Sequence, residues 1–91
     1  MTNTFIGVVF GRVQGVGFRF FVRNTANTFN ITGWVRNLPD GTVEILANGT
    51  SNDLEQFMHI IKTGSIGSRV DRVEFQWFQT EKTLKTFEIR G

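Results

Sequence analysis

Three glycines and an arginine lie close together near the start of the chain, in the stretch GRVQGVGFR (residues 11–19). Gly11, Gly15 and Gly17 follow an apolar run, although glycine weakens both strands and helices. Arg19 falls in the first turn of a predicted helix, where a cation opposes the helix dipole. A glycine-rich turn into a helix can direct several N–H groups at an anion, and arginine adds a forked hydrogen bond. The stretch therefore predicts an anion site, with a purely structural turn as the equal alternative.

Composition excludes several other chemistries. The 91 residues contain no cysteine, which rules out disulfides, thiolate catalysis and zinc sites built on cysteine. His59 is the only histidine, so a Ser-His or multi-histidine site cannot form, and we expect it on the surface of a helix. Asp40, Asp53 and Asp71 are dispersed over a turn, a helix and a strand, so we expect no metal and no other cofactor.

The glycine loop does not fit the best-known nucleotide motifs. It lacks the Gly-Lys-Ser/Thr of a Walker A loop, and its spacing differs from that of the dinucleotide fingerprint. GVGFRFFV (15–22) looks superficially like the aromatic box of RNA-recognition modules, but that box belongs on the third strand. The third predicted strand, TVEILANG (42–49), has no aromatic residue, and a net charge of +2 is small. We therefore expect no nucleic-acid partner.

Hydrophobic periodicity supplies the elements that would position these residues. Alternation of Ile6, Val8 and Phe10 is typical of a strand, whereas Phe18, Val22 and Ala26 recur at helical spacing. An apparent capping box of Asn52 and Glu55 predicts the start of a second helix, and Gly64 its end. The stripe of this helix that we expect to be buried is Leu54, Phe57, Met58 and Ile61. In chain order the prediction is strand 5–13, helix 19–29, strand 31–38, turn 39–41, strand 42–49, helix 51–62, strand 68–78 and strand 85–90.

This order is typical of a single α+β domain, 1–91, with a ferredoxin-like βαββαβ sandwich. Two helices would cover one face of an antiparallel sheet, and a short extra strand would follow at the C-terminus. In this fold the third strand lies between the first and second, so the glycine loop and Asn37 emerge at the same edge. Their separation would be two strand spacings, about 10 Å, which fits a phosphate and a water.

The two motifs GRVQGVGFR and GWVRNLPDGTVE (33–44) together resemble the acylphosphatase family, and the likeness extends over nearly the whole chain. The resemblance implies hydrolysis of acyl phosphates to a carboxylate and inorganic phosphate. It also implies that Arg19 and Asn37 are the catalytic residues, with Asn37 positioning the attacking water. Without the resemblance, Asn37 would be expected only to cap the turn at PDG (39–41). The phosphate-binding residues implied are Gln14, Gly15, Val16, Gly17, Phe18 and Arg19. We expect Phe20 and Arg23 on the exposed side of the first helix, with contact to the acyl group as the alternative.

The sequence departs from the family pattern at Gly17, where a larger residue is common, and at Leu38, where some members carry a hydroxyl. The partners implied are a small acyl phosphate as substrate and phosphate or sulfate as a competing ligand. We expect a cytoplasmic monomer without a signal peptide, because MTNTFIG lacks a basic start and a long apolar run. No segment approaches the ~20 apolar residues of a membrane span. The alternative is a binding module like that inside hydrogenase-maturation carbamoyltransferases.

Overall fold

A computed structural model describes residues 2–80 and 83–91. The predicted order of strands and helices is confirmed, and the ends of each element shift by a few residues. The elements are β1 (Thr2–Arg12), α1 (Phe18–Thr28), β2 (Thr32–Asn37), β3 (Val43–Gly49), α2 (Ser51–Thr63), β4 (Arg69–Thr80) and β5 (Phe87–Arg90).

The strands form one five-stranded sheet in the order β4-β1-β3-β2-β5. As predicted, β3 lies between β1 and β2 and is antiparallel to both. The expected antiparallel sheet is wrong at one pairing, because β5 runs parallel to β2. β4 and β5 are the two edge strands of the sheet, and β5 pairs with β2 in the same direction. The ferredoxin-like fold is confirmed, and its sheet is mixed.

Both helices pack against one face of the sheet and against each other. In α2 the predicted stripe is buried, and in α1 Phe18, Val22 and Ala26 are buried while Phe21 and Phe29 pack against the core. The largest fully buried side chains include Phe5, Phe18 and Phe57. Among the described residues, no helix is both long and apolar enough to cross a membrane.

The two helices begin differently, and this difference bears on the site. The side chain of Thr50 accepts a hydrogen bond from the backbone N–H of Asp53, so the expected Asn52–Glu55 capping box is wrong. Asp53 also puts an acid in the first turn of α2, and Gly64 ends that helix as predicted. In contrast, α1 follows Gly17, which offers no side-chain cap, and its first turn has no acid. The first N–H groups of α1 therefore have no side-chain acceptor among the described residues.

Candidate active site

A cavity of about 110 Å³ lies at the edge of the sheet where β1 and β2 end. The loop after β1, the first turn of α1 and the end of β2 all contribute to its wall. The structure thus brings Asn37 to the glycine loop and Arg19, although 18 residues separate Asn37 from Arg19 in the sequence. The residues that line the cavity are Val13, Gly15, Gly17, Phe18, Arg19, Phe20 and Asn37.

The loop backbone needs glycine at two positions. Gly15 and Gly17 have φ values of 73° and 74°, in the left-handed region that favours glycine. A Cβ at either position would meet no atom within 4 Å, so the space beside them is open. The chain then enters α1 at Phe18, whose N–H and those that follow have no cap. Open space, free N–H groups and the helix dipole together favour an anion at this end of α1.

Arg19 brings a charge to the cavity that no described carboxylate neutralises. None of the ion pairs formed by the described residues includes it. Its Nη1 donates a hydrogen bond of 3.0 Å to the backbone carbonyl oxygen of Arg90 in β5. This contact fixes one of the five guanidinium N–H groups and leaves the others available to a ligand.

Asn37 ends β2, and its carboxamide oxygen is buried. Oδ1 has no hydrogen-bond partner in the part of the chain that the structure describes. The expected turn-capping alternative is wrong, because Asp40 takes that role by accepting hydrogen bonds from the hydroxyl and the N–H of Thr42. A buried acceptor without a partner is unusual in proteins and is often explained by a water or a ligand. Asn37 is thus not engaged in holding the turn.

Gln14 occupies the loop but uses its side chain elsewhere. Its Nε2 donates two hydrogen bonds of 2.8 Å, to the carbonyl oxygens of Leu38 and Thr42. These bonds connect the glycine loop to the turn that follows Asn37. Neither Gln14 nor Val16 is among the residues that line the cavity. The side-chain amide of Gln14 therefore fixes the position of the glycine loop relative to the end of β2.

The acidic groups near the site are few. Asp40, in the turn after β2, has a lowered pKa, because the Thr42 hydroxyl and then its N–H donate to the carboxylate. Within residues 2–80 and 83–91, no three His, Asp or Glu side chains are grouped as metal ligands would be. The cavity wall itself contains no carboxylate among the described residues. Its electrostatics therefore favour a negatively charged ligand.

One contact at the site was not predicted from the sequence, and another was only the less favoured alternative. The backbone oxygen of Arg90 carries no sequence signal, since any residue there would supply it. Phe20 was expected to be exposed on α1, with contact to an acyl group as the alternative. It is exposed, and it also lines the cavity.

The fold and this cavity define a small α+β sandwich in which the start of α1, without a side-chain cap, and an asparagine line the same cavity. The acylphosphatase family model matches residues 5–89. An acylphosphatase from Bacillus licheniformis is 52% identical over 82 residues, which cover 90% of this chain and 91% of that one. The crystal structure of acylphosphatase from Bacillus subtilis superposes with a TM-score of 0.93 at 41% identity, and all of both chains is covered.

A second kind of neighbour is a much larger protein. The structure of full-length HypF in a phosphate- and nucleotide-bound form is 32% identical with a TM-score of 0.83. This chain covers 12% of that protein, while the match covers all of this chain. The chain belongs to the acylphosphatase family. It is therefore an enzyme of the hydrolase class, as the two motifs predicted.

Proposed function

We propose that the protein hydrolyses acyl phosphates to a carboxylate and inorganic phosphate without a metal ion. The observation that carries this proposal is the single cavity shared by the uncapped start of α1, Arg19 and Asn37. An acyl phosphate has a good leaving group, so the protein needs no strong acid. Its task is to position the reactants and to stabilise charge.

The phosphoryl group is held by the backbone N–H groups that follow Gly15 and Gly17 and by the guanidinium of Arg19. These donors face the three non-bridging oxygens, which carry the charge as the bond to the acyl oxygen loosens. Because Arg19 has no described carboxylate partner, its full charge acts on the phosphate. The geometry supports Gly15, Gly17, Phe18 and Arg19 in this role, since all four line the cavity.

The carboxamide of Asn37 orients the attacking water. Oδ1 has no described partner, which leaves it able to accept a hydrogen bond from that water. The water oxygen bonds to phosphorus while the phosphorus bond to the acyl oxygen breaks, and that electron pair leaves with the carboxylate. An asparagine does not titrate, so it cannot act as a base. The proton of the water passes to an oxygen of the bound phosphate.

Turnover of benzoyl phosphate in the presence of EDTA tests this mechanism. The wild-type protein is expected to hydrolyse it, and Arg19→Ala is expected to lower the rate by ~10²–10³ through loss of a charge-stabilising donor. Arg72→Ala is the matched control, because it removes an arginine that pairs with Glu74 and does not line the cavity. It should leave the rate unchanged.

Two results would overturn the mechanism. Near-normal turnover by Arg19→Ala would remove the phosphate role from that residue. Absence of turnover by a folded wild-type protein would mean that this chain is not an active hydrolase. Phosphate binding, measured by calorimetry, would then show whether the cavity serves as a binding module instead.

The proposal extends to a monomer that acts in the cytoplasm. The loop, α1 and β2 of one chain supply every residue assigned above, so the chemistry needs no second copy. The absence of cysteine is compatible with a reducing compartment. Light scattering should give the monomer mass at the concentrations of the assay. Specific activity that rises with protein concentration would contradict this.

A further inference from the structure

One large apolar side chain at the rim of the cavity has no part in the mechanism above. Phe20 lines the cavity and is 53% exposed. The other large exposed apolar residues of the described chain are Ile66, Trp77 and Phe78, and none of them lines this cavity. Single exposed aromatics are ordinary. This one differs because it stands beside the phosphate site.

The ring of Phe20 makes a cation–π contact with Arg23. The guanidinium carbon of Arg23 lies 5.3 Å from the ring centroid. Side chains on a helix lean towards its N-terminus, so Phe20 leans towards the loop and Arg23 reaches back over it. Apart from a 3.4 Å hydrogen bond to Asn24, Arg23 has no polar side-chain partner among the described residues. Arg23 thus restricts the ring at the rim.

The open side of the cavity indicates what this ring contacts. The cavity is partly open to solvent, and Phe20 is the exposed large apolar residue among the described residues of its wall. With the phosphoryl group on the loop N–H groups and Arg19, an acyl group that extends out of the cavity past this exposed ring contacts Phe20. A flat apolar group that leaves the cavity over Phe20 would bury part of an exposed aromatic surface, which is favourable.

We infer that Phe20, backed by Arg23, is the contact surface for the acyl group and determines specificity. It makes the enzyme prefer aromatic acyl phosphates over small aliphatic ones. This inference rests on the proposed acyl phosphate hydrolysis. It assigns Phe20 no part in the chemical step, so its effect appears in the ratio of two substrates rather than in turnover as such.

The test compares kcat/KM for benzoyl phosphate and acetyl phosphate. Phe20→Ala should lower the benzoyl-to-acetyl ratio by about tenfold, the low end of what an apolar pocket contact contributes to discrimination. Phe20→Tyr keeps the ring and should keep the ratio. Arg23→Gln should lower it by about two- to fivefold, as expected for loss of an exposed cation–π contact. Phe78→Ala is the matched control, since Phe78 is 45% exposed but lies on β4.

The outcomes separate this inference from the proposed function. A ratio that is unchanged in Phe20→Ala would overturn the acyl-contact role while leaving hydrolysis established. An equal loss with both substrates, together with weaker inhibition by inorganic phosphate, would place Phe20 in the phosphate cradle instead. A folded wild-type protein inactive on both substrates would overturn the proposed function first. The inference is supported when Phe20→Tyr keeps the wild-type benzoyl-to-acetyl ratio of kcat/KM and Phe20→Ala lowers it.

Discussion

Arg19 and Arg90 are 71 residues apart in sequence, yet the Arg19 guanidinium donates a 3.0 Å hydrogen bond to the Arg90 carbonyl oxygen. β5, which contains Arg90, is held by parallel pairing with β2. The far edge of the sheet therefore orients the cation that we assign to phosphate binding. No side chain of β5 is needed for this contact, only its backbone.

A chain shortened to end at Ile89 should lose that acceptor while keeping most of β5. Its kcat/KM for benzoyl phosphate should fall at least about tenfold, the low end of the about 1.5–3 kcal/mol that a hydrogen bond to a charged group contributes. Arg90→Ala is the control, because it keeps the carbonyl and removes only the side chain. Equal activity of the shortened chain and the wild type would show that Arg19 is oriented without β5.

Substitutions at Gly17 should strain the loop rather than crowd it. Its φ is 74°, and an added Cβ would meet nothing within 4 Å. Gly17→Val should therefore lower the free energy of unfolding by about 1–2 kcal/mol, the cost of a left-handed residue, and Gly17→Asn by less. Urea denaturation measures both. At Gly33 an added Cβ would fall on the Leu46 carbonyl oxygen, so Gly33→Ala should cost more than either. The opposite ranking would contradict the torsional explanation.

Asn37→Ala should lower the rate of hydrolysis without lowering the stability of the fold. The rate should fall because the water loses its orienting group, while inhibition by inorganic phosphate stays near the wild-type value. Since Oδ1 has no described hydrogen-bond partner, its removal breaks no described hydrogen bond of that oxygen. We expect the free energy of unfolding of this variant, measured in urea, to be no lower than that of the wild type. A large loss of stability, with phosphate inhibition also lost, would make Asn37 a structural residue.

The turn after β2 should weaken in acid. The hydroxyl and N–H of Thr42 hold the pKa of Asp40 below its ordinary value of 3.8. Because this pKa is lower in the folded state than in the unfolded chain, the ionised carboxylate stabilises the fold at pH values above 3.8. This stabilisation is lost as the pH falls through the pKa of the folded state. The difference in unfolding free energy between wild type and Asp40→Asn should be complete at pH 7 and should decline below pH 3.8. A difference that stays constant down to pH 2 would refute this.

The sequence predicted the elements well where the apolar period was clear. In α2 every member of the predicted stripe Leu54, Phe57, Met58 and Ile61 is buried. In β1 the alternation predicted a strand but not its buried side, because both faces are apolar. Phe5 and Val9 are buried, whereas Ile6, Val8 and Phe10 are only partly so.

The site was predicted in part. Glycine spacing and strand order were enough to bring Gly15, Gly17, Arg19 and Asn37 to one edge. The two hydrogen bonds of Gln14 depend on how the loop closes over the turn, which no local pattern encodes. The parallel pairing of β5 with β2 is likewise not encoded by any local pattern. Both are tertiary relationships between segments distant in sequence.

Because the N-terminus of α1 has no side-chain cap, binding of phosphate there would be coupled to the stability of the fold. α2 has Thr50 and Asp53 at its start, whereas α1 has neither a capping side chain nor an acid. A phosphate bound there would serve as the missing cap, so the product of the proposed reaction would also stabilise the fold. By mass action, phosphate at 100 times its dissociation constant would add about 2.7 kcal/mol. In a cell, the protein's resistance to unfolding would then rise and fall with the phosphate pool.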